Sequence, residues 1–253
     1  MSSTQVVPNV PDATPGLSES ERIINTFVAP TKTFADIRRN ASWWVPFLIT
    51  AVFSYLFVFA VDRKIGFERI AQNAIAQNPK AQARIEQATP EQREQAITMQ
   101  ANITKYIFYA VPVLSIIFAL VIAGVLMATF NFGFGAEVAF SKAMAIVIYG
   151  GLPMVVQSIL TAITIFAGSD PDGFNPQNPV ATNPAYLMNP VTTNKFIYSA
   201  VSCLDVIALW MIFLMAIGFS ENSKVKRGTA FVAILAWYLL WKLGTGALGA
   251  AFS

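Results

Sequence analysis

Apolar positions in this chain fall into five long runs, separated by short polar turns and by two longer polar segments. Each run holds about 20 residues or more with few charges, the length that an α-helix needs to cross the hydrocarbon core of a bilayer. The pattern therefore predicts five membrane-spanning helices. Their expected ranges are residues 43–61, 106–130, 138–167, 196–219 and 229–251.

The segment before the first run, residues 18–42, has apolar residues at helical spacing. Ser18 and Glu21 fit a capping box that starts one short helix, and Pro30 separates it from a second. Two amphipathic helices next to a span can lie in the bilayer interface, with their cations towards headgroups. They can equally pack on the protein's own cytoplasmic face, and both alternatives stay open. Residues 1–17, rich in Pro, Ser and Thr, predict a disordered tail.

The two longer polar segments differ in character. Residues 65–104 keep a helical apolar face and contain two helix starts, Asn78-Pro79 and Thr89-Pro90, so they predict a helical insertion between spans one and two. Residues 168–194 are rich in Asn and Pro, which favours turns and extended chain. Two aspartates in this linker, Asp170 and Asp172, provide too few ligands at fixed spacing to indicate a cation site.

Composition supports a membrane protein and narrows its chemistry. The chain is 55% hydrophobic and only 12% charged, whereas soluble domains carry about 25% charged residues. We therefore expect an all-α, polytopic membrane bundle. The single cysteine, Cys203, excludes an internal disulfide, and the absence of histidine excludes His-dependent triads, His-ligated zinc and His-ligated haem. No enzyme activity, metal or cofactor is expected, and a net charge of +3 is too small to indicate nucleic acid.

Basic residues set the expected orientation. The turn that contains Lys224, Lys226 and Arg227 is the clearest cationic cluster, and such loops face the cytoplasm. Five spans then place the N-terminus in the cytoplasm and the C-terminus outside. Arg63, Lys64 and Arg69, near the end of the first span, oppose this orientation, because the rule counts cations and not net charge.

Two ionisable residues, Asp205 and Lys242, fall within the fourth and fifth runs. Each lies about thirteen residues from the expected cytoplasmic end, or roughly 20 Å into the helix. We expect an Asp205–Lys242 ion pair or water-bridged contact, because an unpaired charge at that depth costs about 2.5–3.5 kcal/mol. The pair could lock the helix register or mark an ion or proton path, and Lys242 could instead extend to the interface.

A glycine-rich turn and the start of the third run carry a recognisable pattern. Its residues are Gly133, Gly135, Phe140, Tyr149, Gly150 and Pro153, and the lead-in to the first span adds Pro30, Phe34, Trp44 and Pro46. The pattern resembles the Yip domain family of Ypt/Rab-interacting membrane proteins, in its prokaryotic-type members. The resemblance covers about residues 21–251. It implies a five-span bundle with a cytosolic N-terminus, in a prokaryotic cell membrane. The Asp-Leu-Tyr-Gly-Pro motif of eukaryotic members is absent, so their GTPase binding is not carried over.

These observations divide the chain into a tail (1–17), a cytoplasmic amphipathic arm (18–42) and a five-span membrane domain (43–253). The first functional hypothesis is a membrane scaffold or adaptor that contacts the lipid bilayer and binds a protein partner through the arm. The second is a small-solute or ion permease that uses Asp205 and Lys242. An intramembrane enzyme ranks last, because no serine–lysine or paired-aspartate arrangement is evident. Self-association into a homo-oligomer stays open.

Overall fold

The computed structural model describes residues 16–168, 171 and 174–252. The tail predicted for residues 1–17 lies outside the described residues, apart from Gly16 and Leu17. Asp170 and Asp172 of the long linker also lie outside them.

Eleven α-helices account for most of the described residues, and no β-strand occurs among them. The predicted all-α class is therefore confirmed. The helices are α1 (Glu19–Val28), α2 (Pro30–Asp36), α3 (Trp44–Lys64), α4 (Phe67–Ala76), α5 (Pro79–Gln87), α6 (Pro90–Ala128), α7 (Phe140–Gly150), α8 (Pro153–Phe166), α9 (Lys195–Ser202), α10 (Val206–Asn222) and α11 (Arg227–Phe252).

In the described part of the chain, four helical segments are long and apolar enough to cross a membrane: Trp44–Lys64, Pro90–Gly133, Phe140–Phe166 and Arg227–Ala251. The bent pair of α9 and α10 makes a fifth if the two helices form one span. Large apolar side chains such as Val52, Phe59, Ile117 and Val121 point outward and are exposed, which suits a surface solvated by lipid.

The fourth run is not the single helix predicted for residues 196–219. It breaks after Ser202, and α9 and α10 meet at 53°. Asp205 causes the new start, because its carboxylate accepts a hydrogen bond from the Ala208 backbone N–H at 2.9 Å and caps α10. An apolar run conceals this break, since only one polar residue marks it.

Two other runs also depart from a single regular helix. The third run divides between Gly150 and Pro153, and Pro153 opens α8 where a missing N–H costs no helical hydrogen bond. The second run is a continuation of the insertion: α6 starts at a capping box on Thr89 and passes through Pro112 without ending. It closes in a π-helical turn, Thr129–Gly133.

Hydrogen bonds between loops distinguish the two ends of the bundle. At one end the Asn73 amide donates to the carbonyls of Pro171 (2.9 Å) and Phe174 (3.3 Å), which joins the insertion to the long linker. We call this the linker end. At the other end, Arg227 donates to the Thr31 hydroxyl at 3.2 Å and so joins the turn after α10 to the arm, residues 18–42. We call this the arm end.

Candidate functional site at the arm–bundle junction

The arm packs against α7 and α10 through a fully buried apolar edge. Phe34 and Ile37 are both 0% exposed and belong to the main core. Phe34 lies over Gly218 of α10, where a Cβ would be 2.9 Å from its Cδ1 atom and 2.5 Å from Ile146 Cγ2 of α7. Only glycine leaves room for three elements to meet here. The arm is therefore part of the core of the bundle.

A buried charge network joins the two helices of the arm. Arg22 on α1 is 0% exposed, and its Nε and Nη2 atoms lie 2.7 and 2.6 Å from Asp36 Oδ2 at the end of α2. Its Nη1 lies 3.8 Å from Glu19 Oε1. The interface arrangement considered for the arm, with its cations towards headgroups, is wrong for Arg22, because this residue faces inward and pairs with Asp36. Packing on the protein itself is the alternative that the structure supports.

Tyr149 connects this network to the glycine-rich motif. Its ring is fully buried on α7, and its hydroxyl donates to Glu19 Oε2 at 2.9 Å. The next residue, Gly150, contacts α10 so closely that a Cβ would lie 2.5 Å from Met215 Cγ. Small residues at helix interfaces allow such close approach of backbones. The Tyr-Gly pair thus serves both the arm and the α7–α10 contact.

Further hydrogen bonds fix the arm along its length. The hydroxyls of Thr26 and Thr33 both donate to the Arg22 carbonyl at 2.8 Å, which ties α1 to α2. The Asn222 amide at the end of α10 donates to the Phe34 carbonyl at 2.9 Å. Phe27 contacts the ring of Trp210 edge-on, with centroids 5.6 Å apart. These contacts hold one face of the arm to the bundle.

The opposite face of α1 has no such packing. Ile24 is 61% exposed and Val28 is 73% exposed, one turn apart on the side away from Arg22 and Thr26. Two large aliphatic side chains beside each other on an outer helix face mark a surface that lipid or another protein can cover. We call Ile24 and Val28 the apolar stripe, and it is the surface of the arm that a partner can reach.

The remaining motif residues shape the turn beside the junction. Gly135 adopts φ +65°, which a side chain disfavours, and Gly133 ends the π-helical turn. The side chain of Asn131 closes this turn: its amide donates to the Val138 carbonyl at 3.0 Å and its Oδ1 accepts from the Val138 N–H at 2.8 Å. Phe140 opens α7 and is 41% exposed. The motif prolines and tryptophan lie in first turns of helices, namely Pro30 in α2, Trp44 and Pro46 in α3, and Pro153 in α8.

Asp205 and Lys242 line the same cavity, but no ion pair joins them among the described residues. The carboxylate of Asp205 accepts instead from the Thr182 hydroxyl (2.6 Å), the Asn183 amide (3.0 Å) and the Ala208 N–H. The direct ion pair predicted from helix depth is therefore wrong. The prediction assumed an unbroken fourth helix, whereas Asp205 caps α10, the second half of a broken one. A water-bridged contact across the cavity stays a prediction.

Protonation of Asp36 is expected to weaken the arm at acidic pH. Burial raises the pKa of this carboxyl, but hydrogen bonds and charges from Arg39 and Arg22 outweigh burial and hold it below its ordinary value of 3.8. A group whose pKa is lower in the folded state contributes stability above its unfolded pKa and loses it as pH falls towards the folded pKa. Thermal melting in detergent should therefore show a drop in stability below about pH 4 that is smaller in Asp36→Asn. Equal acid sensitivity of the two proteins would contradict this role.

Sequence patterns missed Asp36, Gly218 and Asn222 at the junction, and they missed the inward orientation of Arg22. No local signal marked these residues, because their contacts join positions far apart in the chain. No three of the Cys, Asp or Glu residues that the structure describes converge into a group that could hold a metal ion. The junction therefore provides buried charge, close glycine contacts and an outer apolar stripe.

The long helices are apolar, and their aliphatic side chains face outward, while the arm packs into the core. These features define a multi-pass integral membrane protein. The family model of the Yip1 domain matches residues 24–245, and the chain belongs to that family. The match includes Phe34, Gly150 and Gly218, the residues at which arm, α7 and α10 meet. Searches of the curated proteins and of the solved structures found no match.

Proposed function

We propose that this chain is a membrane scaffold or adaptor without enzyme activity, and that the arm carries its partner-binding surface. The observation that carries the proposal is the division of α1 into two faces. One face holds Arg22, fully buried, and the other holds Ile24 and Val28, which are 61% and 73% exposed. A recognition helix that is already folded loses little conformational freedom when a partner binds. The partner is a protein with an apolar groove that accepts Ile24 and Val28.

The proposed orientation places the arm in the cytoplasm. Support comes from the contact between Arg227 and Thr31, which brings the arm to the same end as the basic turn with Lys224 and Lys226. Cationic turns of this kind face the cytoplasm. In a Cys203→Ala background, a Lys226→Cys variant should resist a thiol reagent that does not cross the membrane. Labelling from the outside of intact cells would reverse the orientation.

The test of the adaptor role changes the stripe and leaves the fold of the arm alone. Deleting the whole arm would remove Phe34 and Ile37 from the core, so it confounds partner loss with unfolding. In the double variant Ile24→Glu and Val28→Glu, only exposed positions change. The matched control carries Leu187→Glu and Val191→Glu, two exposed aliphatic residues at the linker end.

Tagged full-length protein should be purified in mild detergent from native membranes, and its co-purified proteins quantified. The adaptor role predicts a protein that wild type and the linker-end control retain and that the stripe variant loses. The purified partner should then bind wild type directly and bind the stripe variant at least about tenfold more weakly, since each buried aliphatic side chain contributes about 1.5–3 kcal/mol. The same co-purified proteins with all three chains would contradict the proposal.

One observation favours a second candidate, a small-solute or ion permease. A cavity of about 790 Å³ lies at the break between α9 and α10, and both Asp205 and Lys242 line it. Irregular backbone and ionisable residues at membrane depth often mark a solute pathway. Proteoliposomes with wild-type protein should then show flux that Asp205→Asn removes. Wild-type flux equal to that of empty liposomes would exclude this candidate.

A further inference from the structure

The cavity at the α9–α10 break is the strongest polar feature outside the arm–bundle junction. Its wall combines polar side chains from three helices and the linker, including Gln157, Asn178, Tyr198, Ser202 and Thr245. Apolar groups such as Met154, Met211 and Trp241 form the rest. Residues of the α4–α5 turn and of the linker, such as Gln77 and Asn178, give the cavity a polar side that can hold water or a polar ligand.

The charges along the wall are unequal. Among the residues that the structure describes, Lys195, Asp205 and Lys242 are the charged residues that line the cavity, and together they carry one excess positive charge. The carboxylate of Asp205 is already engaged, since it accepts from Thr182, Asn183 and the Ala208 N–H. It therefore offers little to a cation. Attraction of a positively charged ligand is not the chemistry of this site.

Lys195 and Lys242 differ in how their ammonium groups are used. Lys195 Nζ donates to the Pro190 carbonyl at 2.8 Å, which is a neutral acceptor. In the described part of the chain, Lys242 Nζ has no hydrogen-bond or ion-pair partner, although the residue is only partly exposed. An ammonium group that lines a cavity without an anionic partner can form a charge-assisted hydrogen bond with a bound anion.

Trp241, beside Lys242, shows where the cavity opens. It lines the cavity and is also 65% exposed on the outer face of α11, next to Leu240, which is 63% exposed. The mouth of the cavity thus adjoins the apolar outer surface. Trp side chains favour the interface between hydrocarbon and headgroups, where one side is apolar and the other is polar.

From these observations we propose that the cavity is a binding site for a phosphate-type anion, with Lys242 as its principal contact and Tyr198 and Gln157 as hydrogen-bond donors around it. The anion comes either from the headgroup of an anionic lipid that enters beside Trp241 or from a free phosphate compound. The inference rests on the cavity alone and is independent of the adaptor role. It defines a ligand class for the permease candidate.

Native mass spectrometry of the full chain tests the site with two defined probes, phosphatidylglycerol and phosphatidylcholine. Wild type should bind phosphatidylglycerol about tenfold more tightly than phosphatidylcholine. Both lipids carry a phosphate, but the choline cation of phosphatidylcholine is repelled by the excess positive charge of the cavity. Lys242→Gln should lose this preference, and Lys242→Arg, which keeps the charge, should retain it. Lys142→Gln is the matched control, because Lys142 is half-buried to a similar degree at the arm end.

Inorganic phosphate separates the two sources of the anion. Displacement of phosphatidylglycerol by phosphate in wild type identifies a site for the free anion, and retention of the lipid identifies a headgroup site. Both outcomes support the proposal if Lys242→Gln abolishes the preference for phosphatidylglycerol over phosphatidylcholine. Equal binding of both lipids by wild type, or an unchanged preference in a folded Lys242→Gln variant, would overturn it. Loss of flux without loss of binding would concern the permease candidate and leave this site intact.

Discussion

Asp36→Asn is expected to release the arm from the bundle. The substitution keeps the shape of the side chain but leaves the Arg22 guanidinium, 0% exposed, without its closest anion. Removing one partner of a buried ion pair costs about 3–5 kcal/mol, and Glu19 at 3.8 Å from Arg22 favours the lower end of that range. A loss of about 3 kcal/mol corresponds to exchange of the α1 amides that is at least about a hundredfold faster.

Hydrogen–deuterium exchange on the purified protein measures this opening directly. The matched control is Glu221→Gln, which breaks the Glu221–Arg227 pair, also 2.7 Å long but with Arg227 54% exposed. A pair with one largely exposed partner contributes about 0–1 kcal/mol, so exchange of the α1 amides should change little in Glu221→Gln. The double variant Arg22→Met and Asp36→Leu removes both charges and should restore most of the protection. Equal exchange in Asp36→Asn and wild type would show that the network does not hold the arm.

Gly218→Ala is expected to have the second largest effect, although it adds one methyl group. That methyl would lie 2.5 Å from Ile146 Cγ2 and 2.9 Å from Phe34 Cδ1, closer than any relaxed contact between carbon atoms. Overpacking of this kind costs about 1–3 kcal/mol, and Phe34 is the side chain most free to leave because it belongs to the arm. The melting temperature in detergent should fall, and α2 should exchange faster.

Gly124→Ala provides a control of the opposite sign. A Cβ at Gly124 in α6 meets no atom within 4 Å, so the substitution removes only the flexibility of a helical glycine. It should stabilise the protein by about 0.5–1 kcal/mol. A melting temperature that rises with Gly218→Ala as it does with Gly124→Ala would show that α10 does not contact the arm at this point.

Long apolar runs and helix caps could be read from the sequence because both signals are local. The ranges of α3 and α11 follow from hydropathy, and the capping boxes at Ser18 and Thr89 are confirmed. The glycine-rich motif also marked part of the junction, since Tyr149 and Gly150 contact the arm and α10.

Other features depend on residues far apart in the chain. Arg22 and Asp36 are separated by a proline turn, and nothing local shows that both face inward. Nothing in the sequence distinguishes Gly218 from other small residues in an apolar run. Its importance appears only in the fold, where Ile146 and Phe34 both pack against it. The break before α10 was concealed because Asp205 reads as a buried charge in a hydropathy pattern, whereas it acts as a helix cap. The direct pairing with Lys242 was wrong for the same reason.

Cysteine cross-linking tests the central claim, that the arm is folded onto the bundle. Cys203 is the only cysteine, so a Cys203→Ala background allows defined pairs. The first pair is Phe27→Cys with Trp210→Cys, whose native rings are 5.6 Å apart, and the control pair combines Ile24→Cys on the outer face with Trp210→Cys. In native membranes, a short thiol cross-linker should join the first pair efficiently and the control pair poorly. Equal yields for the two pairs, or no product from the first, would contradict the folded arm.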